Sequence, residues 1–167
     1  MLRIVIPALI AFTLSATMGN AQNLELPKSD VILTVSGEID FTNKDDLAVF
    51  DLEMLQGFPS TIVETSTIWT TGQQRFQGIS LFDLLTRLGV RNGTLKATAI
   101  NDYFVEIPVS DAIVGGPIIA YHLNGEEMSI RDKGPLWIVY PYDDKADYRS
   151  ETIYSRSIWQ LDRIKAE

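Results

Sequence analysis

Cysteine is absent from the 167 residues, and histidine occurs once, as His122. Without a thiol the chain has no disulfide staple, no thiolate nucleophile and no thiolate metal ligand, so its stability must come from its core. The single histidine lies in the apolar run 118–123, and no G-x-S-x-G elbow accompanies it, which argues against Ser-His-Asp hydrolysis. Zinc sites want clustered His and Cys, and neither is available. Asp143, Asp144 and Asp147 lack the spacing of a calcium-binding loop and read as a solvated acidic stretch. Glu64, Asp102, Glu106 and Asp143 are carboxylates that a glycosidase pair would need, but no local pattern singles them out. Positive charge is scarce too: 14 Lys and Arg against 22 Asp and Glu leave a net charge of −8. Such a surface repels phosphates, which argues against nucleic acid and anionic lipid heads as partners.

Long apolar runs are confined to the start of the chain. Arg3 precedes an apolar stretch, 4–18, that is short for a bilayer span, and Gly19 and Ala21 stand where a signal peptidase requires small residues. Residues 1–21 are therefore expected to be a cleavable signal peptide and 22–167 an exported, periplasmic domain with no further membrane insertion. That length suits one domain with its own core, and 46% hydrophobic residues argue against disorder.

Residues 22–30 read as a polar leader with little to hold it. Strands are expected at 31–37, 47–52, 95–100, 103–107 and 118–123, with a helical turn at 52–56 stopped by Gly57. Asn124-Gly125 is a strong hairpin signal, and the continuously apolar 135–140 should be a central buried strand. Leu81, Leu84, Leu85 and Leu88 form a helical stripe ended by Gly89, with Ser80 placed to cap it. Residues 153–159 and 161–164 should close the fold as a short turn and a final strand. The pattern is α+β: one domain with more strand than helix.

Residues 61–85 read as strand, turn, strand, then helix, a device that presents the end carrying Ser66, Thr67 and Trp69. Trp69, Tyr103, Tyr121, Tyr140, Tyr142, Tyr148 and Tyr154 fall near strand ends or in loops. Planar heteroaromatic ligands bind between such rings, with polar groups fixing their edges. Arg75 offers a fork of donors and Asp102 an acceptor for an amino-imino edge. The same aromatics also serve as ordinary core and rim residues, and the residues alone leave both readings open.

Three segments, in order, carry a resemblance: WTTGQQRFQGISLFDLLTRLGV, AINDYFVEIPVSDAI and IAYHLNGEEMSIRDKGPLWIVYP. They are similar to the strand–helix, D-G-Y-type and N-G…G-x-P segments of the oxidoreductase molybdopterin-binding domain, the sulfite-oxidase fold. The resemblance implies that fold, a single mainly-β, mixed-sheet α+β domain with a few short helices, and a pterin pocket. Catalytic members hold molybdenum through one cysteine, whose position falls here on Ser66 or Thr67, and no cysteine exists elsewhere. It further implies that a phosphate grip would rest on Arg75, Arg149 and Arg156 alone. Small cysteine-free exported proteins of this type resemble periplasmic pterin-binding proteins, some of which report to inner-membrane signalling proteins that turn over cyclic di-GMP. The expectation is a non-enzymatic pterin binder without molybdenum, its partner the periplasmic domain of such a protein. Trp69 would stack, Arg75 and Asp102 would read the ring edge, Ser66 and Thr67 would replace the thiolate, and Tyr103, Tyr148, Ser155 and Arg156 would line or neighbour the pocket. The alternatives are a molybdopterin-holding redox accessory module and an interaction domain with an empty pocket.

Overall fold

The computed structural model describes residues 24–167. The expected signal peptide, residues 1–21, lies outside the described residues. The elements run β1 (Leu33–Gly37), β2 (Ala48–Phe50), α1 (Leu52–Gln56), β3 (Ser60–Ser66), β4 (Gln73–Ser80), α2 (Leu81–Leu88), β5 (Thr94–Ala99), β6 (Phe104–Pro108), β7 (Ile118–Leu123), β8 (Glu126–Glu127), β9 (Leu136–Val139), α3 (Glu151–Arg156) and β10 (Trp159–Ala166). The strands join in one sheet of order β2-β1-β10-β9-β7-β4-β3, with β5 on β10, β6 on β5 and β8 on β7. Pairing is antiparallel except for β1 against β10, which makes the sheet mixed, as expected. Among the described residues no helix is long and apolar enough to cross a membrane.

Local chemistry explains most boundaries. Asp51 caps α1 by accepting from the Met54 amide at 2.9 Å. The same carboxylate accepts from the amides of Lys28 and Ser29 at 2.7 and 3.0 Å, so the leader is tied down where little was expected to hold it. Those amides, with that of Met54, hold the Asp51 carboxyl below its ordinary range. Asn124 and Gly125 both take positive φ, 54° and 90°, as a two-residue hairpin requires. Ser80 does not cap α2 with its side chain; it ends β4 instead and pairs with Ile118.

The core is one cluster. Leu81, Leu84, Leu85 and Leu88 of α2 pack into it with Phe76, Ile79, Ile119, Trp137 and Ile138. Each fully buried leucine of this stripe contributes about 1.5–3 kcal/mol of transfer free energy. β9 is buried at all four positions, as its apolar sequence predicts. The end of the chain departs from expectation. Residues 151–156 form a helix because Ser150 caps it, accepting from the Ile153 amide, while Ile153 buries its side chain. The last strand then begins at Trp159 and runs to Ala166, with a bulge at Gln160 that breaks the alternation on which a sequence pattern depends.

Gly78 marks the closest approach of β4 to β7. A Cβ there would run into the Ile119 carbonyl oxygen and come within 2.6 Å of the Ala120 Cα. We predict that Gly78→Ala lowers the unfolding free energy by about 3 kcal/mol, read by denaturant titration. A loss below about 1 kcal/mol would show that the β4–β7 seam yields easily.

Candidate aromatic ligand site

Residues 67–72 join β3 to β4 and carry Trp69 inward. The Thr67 hydroxyl accepts from the Trp69 amide at 3.0 Å and lies 2.8 Å from the Thr70 hydroxyl, so two threonines shape the turn. The Trp69 ring meets Trp159, Tyr154, Trp137 and Tyr142 edge-on, at centroid distances of 5.5, 5.7, 5.9 and 6.3 Å. All three tryptophans of the chain thus share one cluster, an arrangement that aromatic quadrupoles favour. Trp137 is its floor: fully buried, packed on Phe76 at 5.2 Å, with an indole N–H that has no acceptor among the described residues. The Lys133 ammonium stands 5.7 Å from the ring centres of both Trp137 and Trp159.

Beside this cluster opens a cavity of about 490 Å³, lined by Trp69, Asn101, Tyr103, Tyr154, Ser155, Ser157, Trp159 and Gln160. Two backbone irregularities build it. In the β5–β6 turn, Asp102 adopts φ +64° and its amide donates to the Ala99 carbonyl at 2.9 Å, which leaves Asn101 and Tyr103 on the cavity side. In β10, Gln160 adopts φ +53° at the bulge. Its amide donates to the Lys133 carbonyl, its own carbonyl accepts from the Ile100 amide, and its side-chain nitrogen donates to the Ile130 carbonyl at 2.6 Å.

Of the residues expected from sequence, Trp69, Tyr103 and Ser155 come together here. The others do not line this cavity. Asp102 turns to the opposite side, where Arg163 donates to it at 2.7 Å; its left-handed backbone points the carboxylate away from its neighbours' face. Arg75 lies on the sheet opposite Glu64, its Nε 3.9 Å from that carboxylate. Arg156 donates to Asp111 at 2.8 Å, and the Tyr140 hydroxyl donates to the same oxygen at 2.7 Å. Tyr148 packs on Tyr140 with ring centres 5.7 Å apart. Ser66 donates from both its amide and its hydroxyl to the Asp143 carboxylate, each at 2.7 Å. Sequence reasoning did not single out Asn101, Trp159 or Gln160 for the site. A tryptophan opening the last strand was the available signal.

The titratable groups around the cluster are arranged to hold protons or shed them. Burial pushes the Tyr142 hydroxyl up to about 12, where it donates to Ser157 at 2.6 Å. Burial, reinforced by Asp111, raises Tyr140 further. Both phenols are therefore neutral hydrogen-bond donors at ordinary pH. Asp143 moves the other way: the Ser66 amide, then its hydroxyl, hold its carboxyl below the ordinary range.

The fold and the sequence agree on the family. The sequence profile of the oxidoreductase molybdopterin binding domain matches residues 43–143, more than half of the chain, and the chain belongs to that family. Among solved structures it is similar to the sulfane dehydrogenase SoxCD from Paracoccus pantotrophus, at 20% identity and a TM-score of 0.59. That match covers 85% of this chain and 39% of the other, and it shows a shared fold. No curated protein sequence matches closely enough to be counted a relative.

The family implies a molybdopterin, and the donor set decides how far that fits. Ser66 and Thr67 supply hydroxyls where the resemblance places a thiolate, and those hydroxyls are occupied with Asp143 and Thr70. Among the described residues no group of three or more His, Asp or Glu side chains could hold a metal ion. The Arg149 Nε donates to the Tyr142 carbonyl at 3.1 Å and one terminal nitrogen of Arg156 donates to Asp111, which leaves the other guanidinium N–H groups of each available. With no cysteine in the sequence, these residues do not supply a thiolate to hold the metal. The aromatic cavity fits a planar ring.

The Ser66–Asp143 contact predicts a pH effect. A carboxyl held low when folded stabilises the fold above its unfolded value, near 3.8, and that contribution is lost as pH falls below it. Ser66→Ala keeps the amide donor and removes the hydroxyl, so the Asp143 titration, followed by NMR, should move part of the way back up toward 3.8. An unmoved titration would show that the hydroxyl contributes nothing.

Proposed function

We propose that this chain is a non-catalytic binder of a pterin-class compound, held in the Trp69–Tyr103–Trp159 cavity. The carrying observation is that cavity: about 490 Å³, within the rough 300–1,000 Å³ range of small-molecule sites, walled by aromatic rings and edged by amides. Family membership supports a pterin-type ligand, and the absence of any cysteine supports a role without thiolate-held molybdenum.

The polar edges complement a 2-amino-4-oxo ring. The Asn101 side-chain oxygen already accepts from the Tyr103 amide, which leaves its NH2 to donate to the ring carbonyl. The Gln160 side-chain nitrogen is bound to the Ile130 carbonyl, which leaves its oxygen to accept from the ring's amino group. In this reading Asn101 and Gln160 take the edge-reading roles that Arg75 and Asp102 were expected to fill. Trp69, Tyr103 and Trp159 supply the stacking faces. Export to the periplasm and a report to the periplasmic domain of an inner-membrane signalling protein of cyclic di-GMP turnover complete the proposal, because a binder without chemistry acts through a partner. The second reading, a molybdopterin-holding redox accessory, draws its support from the family itself.

Titration of the purified protein with reduced and oxidised pterins, read by tryptophan fluorescence and calorimetry, tests the binding. We expect saturable binding of at least one redox form, weakened about tenfold or more (about 1.4 kcal/mol) by Trp159→Ala and by Asn101→Ala. Unchanged affinity in both variants, with folding checked by circular dichroism, would remove the site.

A further inference from the structure

Among the described residues the edge of β3 is open. β3 ends the sheet and pairs with β4 alone, in a register that runs without a bulge from Ser60↔Ile79 to Ser66↔Gln73. Which of its backbone groups face outward follows from two contacts. Arg75 gives its N–H to the Asn124 side chain and receives the Asn124 amide on its carbonyl, so its backbone faces β7; Glu64, paired across from it, therefore faces away from β4. Ser66, two residues on, turns its N–H out to Asp143. Ser60, Ile62 and Glu64 share that parity. Among the described residues, the outward N–H groups of these three have no acceptor, and only the Glu64 carbonyl takes a long contact, 3.5 Å from the Gln73 side-chain Nε2.

Nothing in the strand guards this edge. Ser60–Ser66 contains no lysine, arginine or proline, and it is rich in β-branched residues. Val63 and Thr65 are buried on the other face and fix the strand against slipping. Ile62 stands on the outside, 48% exposed.

We propose that β3 is the contact surface for a second copy of this chain, paired antiparallel across a two-fold axis through Ile62. The strand is complementary to itself in this register. Ile62 meets Ile62 of the partner, and Glu64, the strand's only charge, meets the neutral Ser60. An axis at Glu64 would oppose two carboxylates, and an axis at Val63 would pair Ser60 with a Ser66 whose N–H is already taken. Three hydrogen-bonded pairs exchanging two bonds each give about six new backbone hydrogen bonds. An interface of this size belongs with transient contacts, below about 1,200 Å². Each copy carries a net charge of −8, so added salt should strengthen the pairing by screening mutual repulsion. The inference does not depend on the ligand reading.

Sedimentation velocity of the purified protein over a wide concentration range, at low and high salt, tests it. The expected result is a concentration-dependent dimer, favoured by salt and weakened about tenfold or more by Ile62→Lys, which places an edge-guarding charge on an exposed side chain. Hydrogen exchange at Ser60, Ile62 and Glu64 should slow as the dimer forms. A monomer at every concentration would overturn the proposal. So would a dimer indifferent to Ile62→Lys, which would place the contact elsewhere. Amides at these positions that are protected already in the monomer would also overturn it, by showing that the edge is not free to pair. A Trp159→Ala variant that loses pterin and still dimerises would separate this result from the ligand reading.

Discussion

The site depends on one kink, the bulge at Gln160. β10 carries two irregularities: Gln160, at φ +53°, is the extra residue between the β9 pairs Trp159↔Trp137 and Leu161↔Leu136, and a second register shift falls between Leu161 and Arg163 against β5. Trp159 is released to the cavity mouth while Leu161 returns to the core. The residue that bears the strain is held by three contacts, to Lys133, Ile130 and Ile100, which tie the β8–β9 connection and the β5–β6 turn to the same point. A positive φ at a non-glycine residue costs about 1–3 kcal/mol and persists only where its surroundings over-determine it. Here they do, and the strained residue lines the cavity.

Around that kink the chain keeps its family's scaffold and lacks a cysteine. Hydroxyls stand at the position the resemblance gives to the metal's thiolate: that of Ser66, with its amide, pins the end of β3 to Asp143 in the loop after β9, and that of Thr67 contacts Thr70. Two arginines near the cluster each give one N–H to a structural partner, Asp111 or the Tyr142 carbonyl. What remains is a rigid cluster of edge-on rings with amides at its margin. In the proposed function a flat ring would stack on this surface and take a few directed hydrogen bonds from its margin.

Much of the fold was legible because its signals are local. The α1 boundaries, the Asn124-Gly125 hairpin, the leucine stripe of α2 and the buried β9 follow from caps, turn residues and periodicity. The misses share a different cause. α3 and the start of β10 were hidden because the Gln160 bulge interrupts the pattern that identifies a strand. Asp102 was placed in the pocket by its position in a turn, yet one residue in the left-handed region sends its side chain to the far face, where Arg163 takes it. Arg75 was assigned by residue type, but its strand register sets it against Glu64. Trp69 and Tyr103, picked as large rings near strand ends, do line the cavity. Trp159 escaped because its strand was begun too late.

The central claim is that the aromatic cavity holds a pterin without molybdenum. Mass spectrometry of whatever acid denaturation releases from the purified protein, with molybdenum analysis on the same sample, tests it most directly. The account predicts an unphosphorylated pterin and no stoichiometric molybdenum. A phosphorylated pterin released together with molybdenum would contradict it and return the chain to the redox chemistry of its family.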